Sequence, residues 1–154
     1  MQKNENRNMD GIHSMEDAYM NDPLDVCRFM TGKKIRIREK PFEVVYLICL
    51  DQDNRFKGCF ELGRGTQTCV SASTFDAVRA AALCGSCRVI LVHSHPDCGP
   101  EPSFSDWKFT FVFARAFRCC GITLVDHVII GDRGCSSMTR LLHPRLRFLK
   151  FREI

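Results

Sequence analysis

No run of about 18 apolar residues occurs in this 154-residue sequence, so a membrane-spanning helix is not expected. The opening stretch, MQKNENRNMDGIHSMEDAYM, holds no apolar segment of the kind a secretory leader needs. These two absences set the default expectation of a cytoplasmic chain with no membrane partner. No internal repeat is present. Cys84-Gly-Ser-Cys87 has the CxxC spacing of redox or zinc chemistry, but no second CxxC completes a four-cysteine zinc site.

What is there suits one compact domain. Apolar residues make up 45% and charged residues 26%, a soluble globular balance. A chain of this length buries enough core to fold without staples. The ten cysteines are therefore read as free thiols rather than as a disulfide scaffold. Cys49 in VVYLICL and Cys119 and Cys120 after FVFARAF are expected to be buried as small hydrophobes.

Charge is uneven around a net of +4. Residues 1–22 carry two basic and five acidic side chains and are expected to be a disordered tail. Residues 23–40 form a basic lead-in with Arg28, Lys33, Lys34, Arg36, Arg38 and Lys40, and a short helix is expected between Asp17 and Met30. Residues 140–154 form a second basic segment with Arg140, Arg145, Arg147, Lys150 and Arg152. Such clusters suit either a solvated face or contact with nucleic-acid phosphates.

Between them, residues 41–139 read as a folded domain. Phe42–Leu50 is a buried strand, Asp51–Asn54 a turn, and Arg55–Leu62 a second strand closing a hairpin. Gly63 and Gly65 interrupt, and Thr66–Ser71 is a third strand. Ser73 caps a helix over 74–84, with Phe75, Val78, Ala82 and Leu83 at helical spacing. Arg88–Val92 is a central strand. Ser103 and Asp106 mark the start of a helix over 104–119 that Gly121 ends. Leu124–Ile130 and Ser136–Thr139 are further strands. The mixed order points to an α+β fold or a three-layer α/β sandwich.

The chemistry concentrates where the central strand ends. His93 and His95 are two apart, so both imidazoles leave the same strand face. Asp106 lies one turn into the next helix, where its carboxylate can point back. Two imidazoles and one carboxylate leave a fourth tetrahedral position open, the pattern of a catalytic zinc site. Such an ion lowers the pKa of bound water to about 7 and polarises a carbonyl.

His93, Ser94, His95, Ser103 and Asp106 together resemble the JAMM (MPN+) metalloprotease signature, H-S-H, seven residues, S-x-x-D. HSHPDCGPEPSFSD followed by GITLVDHVIIGD resembles the JAB domain of the RadC family over about Phe42–Thr139. The resemblance implies an α/β fold of the JAB/MPN type, a mixed β-sheet flanked by helices in a cytidine-deaminase-like three-layer sandwich. It implies a zinc hydrolase cutting a peptide or isopeptide bond, with a protein or peptide as substrate. It also carries an alternative, a zinc-containing accessory protein in DNA repair, recombination or mobile-element biology. Typical RadC chains have a helix-hairpin-helix module, for which residues 1–40 are too short and too polar.

The family uses an upstream glutamate as general base. Glu61 in Glu61-Leu-Gly-Arg-Gly65-Thr66 matches the E-x-x-x-G-T segment, and it is either that base or an exposed strand-edge residue. Asp76 is the spare carboxylate, since SASTFDAV lacks a glutamate. Ser103 caps its helix or, as the resemblance implies, helps stabilise an oxyanion. His127 is expected to support the site from behind, and His13 and His143 to lie on the surface. Oligomeric state is left open.

Overall fold

The computed structural model describes residues 18–142, apart from 67, 68 and 71. Residues 1–17 and 143–154 lie outside the described ones, and with them His13, His143 and the basic side chains of Arg145, Arg147, Lys150 and Arg152. Helix α1 (Pro23–Thr31) comes first, then a short 3-10 turn (Ile37–Glu39), β1 (Glu43–Leu50), β2 (Phe56–Thr66) and β3 (Cys69–Val70). Helix α2 (Thr74–Leu83), β4 (Arg88–Ser94), α3 (Phe104–Cys119), β5 (Thr123–Gly131), β6 (Gly134–Ser137) and α4 (Met138–Leu142) complete it.

The six strands form one mixed sheet in the order β3-β2-β1-β4-β5-β6. Strands β1 and β4 are antiparallel, with Val45 opposite His93 and Leu47 opposite Leu91. Strands β4 and β5 are parallel, joined by the α3 crossover. One face of the sheet packs Val44, Tyr46, Ile48 and Val92 against Val26 and Met30 of α1 and Ile37. The other packs Val45, Leu47 and Leu91 against Ala77 and Ala81 of α2 and Phe113 and Phe117 of α3. The result is the expected three-layer α/β sandwich, a mixed sheet flanked by helices.

Several local expectations need correction. The helix expected between Asp17 and Met30 begins only at Pro23, which sits at its first turn where a missing N–H costs nothing. Asp22 caps it by accepting from the Leu24 N–H at 2.8 Å. Ala18 and Met20, assigned to a disordered tail, are buried because their segment bonds to the β1–β2 turn, Phe56 N–H donating to Ala18 O and Met20 N–H to Asn54 O.

Gly63 and Gly65 do not interrupt β2. They pair with Val45 and Glu43, and a bulge beside Val45 absorbs the irregularity. The chain from 66 to 71 contributes only the two residues of β3. The final strand stops at Ser137, where the Ser137 hydroxyl accepts from the Arg140 N–H and Asp126 accepts from the Thr139 N–H, turning the chain into α4.

Helix α2 turns a different face inward from the one its large residues suggest. Ala77 and Ala81 are fully buried, whereas Phe75 is 72% and Leu83 82% exposed. Small residues at i and i+4 let α2 approach the sheet closely, and the large ones point out. Cys49 is buried as expected, but Cys119 and Cys120 are exposed at the solvent-facing end of α3. Nine cysteines are free, Cys84 and Cys87 among them. No helix among the described residues is long and apolar enough to cross a membrane.

Candidate metal centre

The site lies at the carboxyl end of the central strand β4, where the chain leaves the sheet for α3. His93 belongs to β4 and His95 to the residues just beyond it, held in line by its backbone N–H donating to Ile130 O of β5 at 2.9 Å. Ser94, between them, points to the opposite face and accepts from the Val44 N–H at 3.0 Å, fastening β4 to the start of β1. His93 and His95 meet edge to face, ring centroids 4.9 Å apart.

Asp106 reaches both imidazoles from the first turn of α3. Its Oδ1 lies 2.8 Å from His93 Nδ1 and its Oδ2 3.4 Å from His95 Nε2. A capping box fixes it there. The Ser103 hydroxyl donates to Asp106 Oδ2 at 2.6 Å, the Ser103 N–H donates to the same oxygen at 2.7 Å, and Asp106 N–H donates back to Ser103 Oγ at 3.2 Å. Ser103 therefore has its single hydroxyl proton committed to Asp106, and contact with an oxyanion would require that bond to break. Burial opposes ionisation of Asp106, but the bonds from His93, His95 and Ser103 outweigh it and hold the carboxyl far below the usual range.

Glu43, at the start of β1, was missed from the sequence. Its Oε2 lies 3.4 Å from His93 Nε2. Glu43, His93 and His95 each offer a ligand atom, and these atoms lie within 4.8 Å of one another. Strand parity explains the meeting: Glu43, Val45 and Leu47 alternate onto one face, and Val45 stands opposite His93 in the neighbouring strand. Register was the missing signal, because a glutamate at the head of an apolar strand is unremarkable until its neighbour is known.

Glu61 does not join this cluster. It pairs with Tyr46, whose ring belongs to the opposite face of the sheet, and it accepts from the Tyr46 hydroxyl at 3.1 Å. Leu62, the next residue, packs on the His93 face instead. The Arg64 guanidinium bonded to Glu61 is the main cause of its lowered pKa. Asp76 is also apart, exposed at the first turn of α2 and paired with Arg79 at 3.1 Å.

His127 of β5 is buried beside the centre, its ring parallel to that of His93 at 6.1 Å. Thr110 Oγ1 donates to the Asp106 carbonyl at 2.6 Å, so its bond to His127 Nδ1 at 2.7 Å must use an imidazole N–H as donor. Burial keeps this ring neutral, its pKa lowered to about 3. His127 thus braces the helical turn that carries Asp106.

The donor set fits a divalent cation. Two imidazoles and two carboxylates, each side chain at most 12% exposed, concentrate negative charge where water screens it poorly. These are the oxygen and nitrogen donors that zinc accepts. The bond to Asp106 raises the pKa of His95, against a smaller opposing effect of burial. The sign of the linkage follows for the metal-free chain. His95, raised in the fold, stabilises fully below about pH 6.5 and loses that contribution as pH rises through its folded value. Asp106, depressed, contributes above about pH 3.9 and loses it in stronger acid. The melting temperature of chelator-treated protein should accordingly fall as pH rises above about 6.5, and His95→Gln should flatten that fall.

Gly131 supports the loop from the far side. A Cβ there would stand 2.5 Å from Cys98 O and 2.6 Å from Gly99 C, both backbone atoms that cannot swing aside. Gly99 O in turn holds His95 Nδ1 at 3.3 Å. Gly131→Ala should push the loop outward and weaken metal binding by roughly 10–100-fold, as loss of an outer partner does. Titration against a chelating dye would measure it.

The RadC-like JAB domain family matches residues 20–143. This chain belongs to that family. Among curated relatives, a UPF0758 protein of Janthinobacterium sp. (strain Marseille) is 30% identical over 124 residues, covering 80% of this chain and 54% of its own. Another, from Stenotrophomonas maltophilia (strain K279a), is 33% identical over 116 residues, 75% of this chain and 48% of its own. A third, from Thioalkalivibrio sulfidiphilus (strain HL-EbGR7), is 35% identical over 113 residues, 73% and 49%. The chain spans about half the length of the curated relatives it matches. In this RadC-like JAB domain the matched region contains the whole cluster, Glu43, His93, His95 and Asp106.

Proposed function

We propose that this RadC-like JAB domain is a zinc-dependent hydrolase that cuts a peptide or isopeptide bond in a protein or peptide substrate. One observation carries the reading. His93, His95, Asp106 and Glu43 converge from three separate elements into one nearly dry cluster at the end of the central strand.

In this reading His93, His95 and Asp106 hold the zinc and Glu43 is the general base. The division between the two carboxylates rests on contact. Asp106 turns one oxygen to each imidazole, whereas Glu43 touches His93 alone. The ion, when bound, supplies Lewis acidity toward the scissile carbonyl and lowers the pKa of water to about 7. Glu43 accepts a proton from the attacking water and delivers it to the departing amine, so that acid and amine products leave balanced. Ser103 acts as a positioning residue, orienting the Asp106 carboxylate through the capping box.

The purified chain should carry about one equivalent of zinc, filling the open three-ligand site. Zinc retained in full by His93→Ala, His95→Ala and Asp106→Ala alike would overturn the ligand assignment. A panel of peptide and isopeptide conjugates should reveal cleavage that chelation abolishes and added zinc restores. Cleavage that survives complete removal of the metal would overturn the hydrolytic reading.

A further inference from the structure

Helix α3 carries apolar side chains on two sides. Phe113 and Phe117 face the core, whereas Phe104, Phe111 and Val112 are exposed. Phe104, Lys108, Phe111, Arg115 and Arg118 recur every three or four positions, so they share one outward stripe. Lys108, Arg115 and Arg118 are exposed as well, and Lys108 Nζ stands 4.7 Å from the centre of the Phe104 ring. The only acid of this helix, Asp106, is buried in the metal centre. The stripe therefore alternates aromatic rings with cations and carries no anion.

Helix α2 extends this surface. Its exposed Phe75 has Arg79 over the ring at 5.9 Å, and the one acid there, Asp76, is already paired with Arg79. Between the two helices runs a groove of about 520 Å³, lined by Thr74 on one side and by Ser105, Lys108, Phe109 and Val112 on the other. The α3 wall of the groove adjoins the metal centre. Ser105 precedes Asp106, and the Phe109 ring lies 6.0 Å from that of His127. Exposed hydrophobes scattered singly are ordinary, but several on one face beside a groove mark a contact surface.

We propose that the α2–α3 surface docks an acidic peptide segment with apolar side chains, its carboxylates on Lys108, Arg115 and Arg118 and its apolar side chains in the groove. The segment belongs to the protein being cut, an identity that rests on the hydrolase reading, and docking holds that protein beside the metal centre. The charge of the stripe selects this occupant, because each carboxylate meets a cation that otherwise faces solvent. A second copy of the chain offering the same face would set cation against cation. A flat lipid surface would leave the concave groove unfilled. Single-stranded nucleic acid stacks its bases on open aromatic faces, and here Lys108 and Arg79 already stand over Phe104 and Phe75.

The test is fluorescence anisotropy on the full chain, with a labelled peptide of about a dozen residues carrying leucine, phenylalanine and glutamate as the probe. It should bind, and the same peptide with lysine in place of glutamate should bind roughly tenfold more weakly. Affinity for the glutamate peptide should fall as salt rises. Lys108→Glu combined with Arg115→Glu should weaken the glutamate peptide by a similar factor and turn the preference toward the lysine peptide, with the fold intact by circular dichroism. Val112→Ser should weaken both peptides alike. No binding of the glutamate peptide, equal binding of the two peptides, or binding that the double variant leaves unchanged would overturn the proposal. So would a single-stranded oligonucleotide or anionic phospholipid vesicles bound more tightly than the peptide and lost in the double variant, or self-association by light scattering that Val112→Ser abolishes. The peptide should bind equally before and after chelation, so docking is read without the metal. Peptide binding that persists while no conjugate of the panel is cut would remove the hydrolase reading and leave the docking site in place.

Discussion

Glu43→Gln is expected to lower hydrolysis by roughly 10²–10⁴-fold while leaving zinc content nearly unchanged. The substitution keeps the size of the side chain and a carbonyl oxygen for hydrogen bonding, but removes the basic carboxylate. It should do little to the fold, because Glu43 opens β1 and its backbone pairing with Gly65 does not depend on the side chain. Glu61→Gln is the control. Glu61 stands on the opposite face of the sheet, bound to Arg64 and Tyr46, and its loss should cost at most about 1 kcal/mol, as exposed ion pairs do. Its hydrolytic rate should stay close to that of the parent. The measurement is initial rate on the best conjugate of the panel, with zinc quantified in the same samples. A dead Glu61→Gln beside an active Glu43→Gln would reverse the assignment of the base. Loss of zinc in Glu43→Gln would make Glu43 a ligand instead.

Asp106→Asn should cost both metal and stability, and the two losses have separate causes. The amide keeps an oxygen to accept from the Ser103 N–H but loses the charge that faces two imidazoles. Zinc affinity should fall by more than the roughly 10–100-fold typical of an outer partner. Weakening the capping box should cost a further 0.5–2 kcal/mol or so in unfolding free energy. Ser103→Ala separates these effects. It removes the cap hydroxyl and one bond to Asp106 but leaves the carboxylate, so it should cost about 1 kcal/mol in stability and only roughly 10–100-fold in zinc affinity. Dye competition for zinc and urea unfolding of the metal-free proteins would give both numbers. Equal zinc affinity in Asp106→Asn and the parent would exclude Asp106 as a ligand.

Much of this domain is legible locally. The apolar run RVILV is a strand because a continuous short hydrophobic stretch buries on both faces, and β4 does so. HSH at its end places two imidazoles on one face by the period of a strand alone. Ser103 and Asp106 announce a helix start through the capping box, and the same bonds aim Asp106 back at the histidines. Each of these signals involves residues within about one turn or one strand of each other, so the sequence by itself determines them.

Tertiary structure decided what spans elements. Glu43 and Glu61 both stand on strands that precede the motif, and strand pattern alone does not tell which of them faces it. The choice depends on β1 lying beside β4 in one register, and on which sheet face each strand turns to the histidines. A shift of a single residue would exchange the faces. The inward face of α2 was settled in the same way, by how closely alanines let a helix approach the sheet rather than by where its large side chains recur. Periodicity and caps act over a few residues and are written in the chain, whereas strand order, register and helix approach come from burying many surfaces at once.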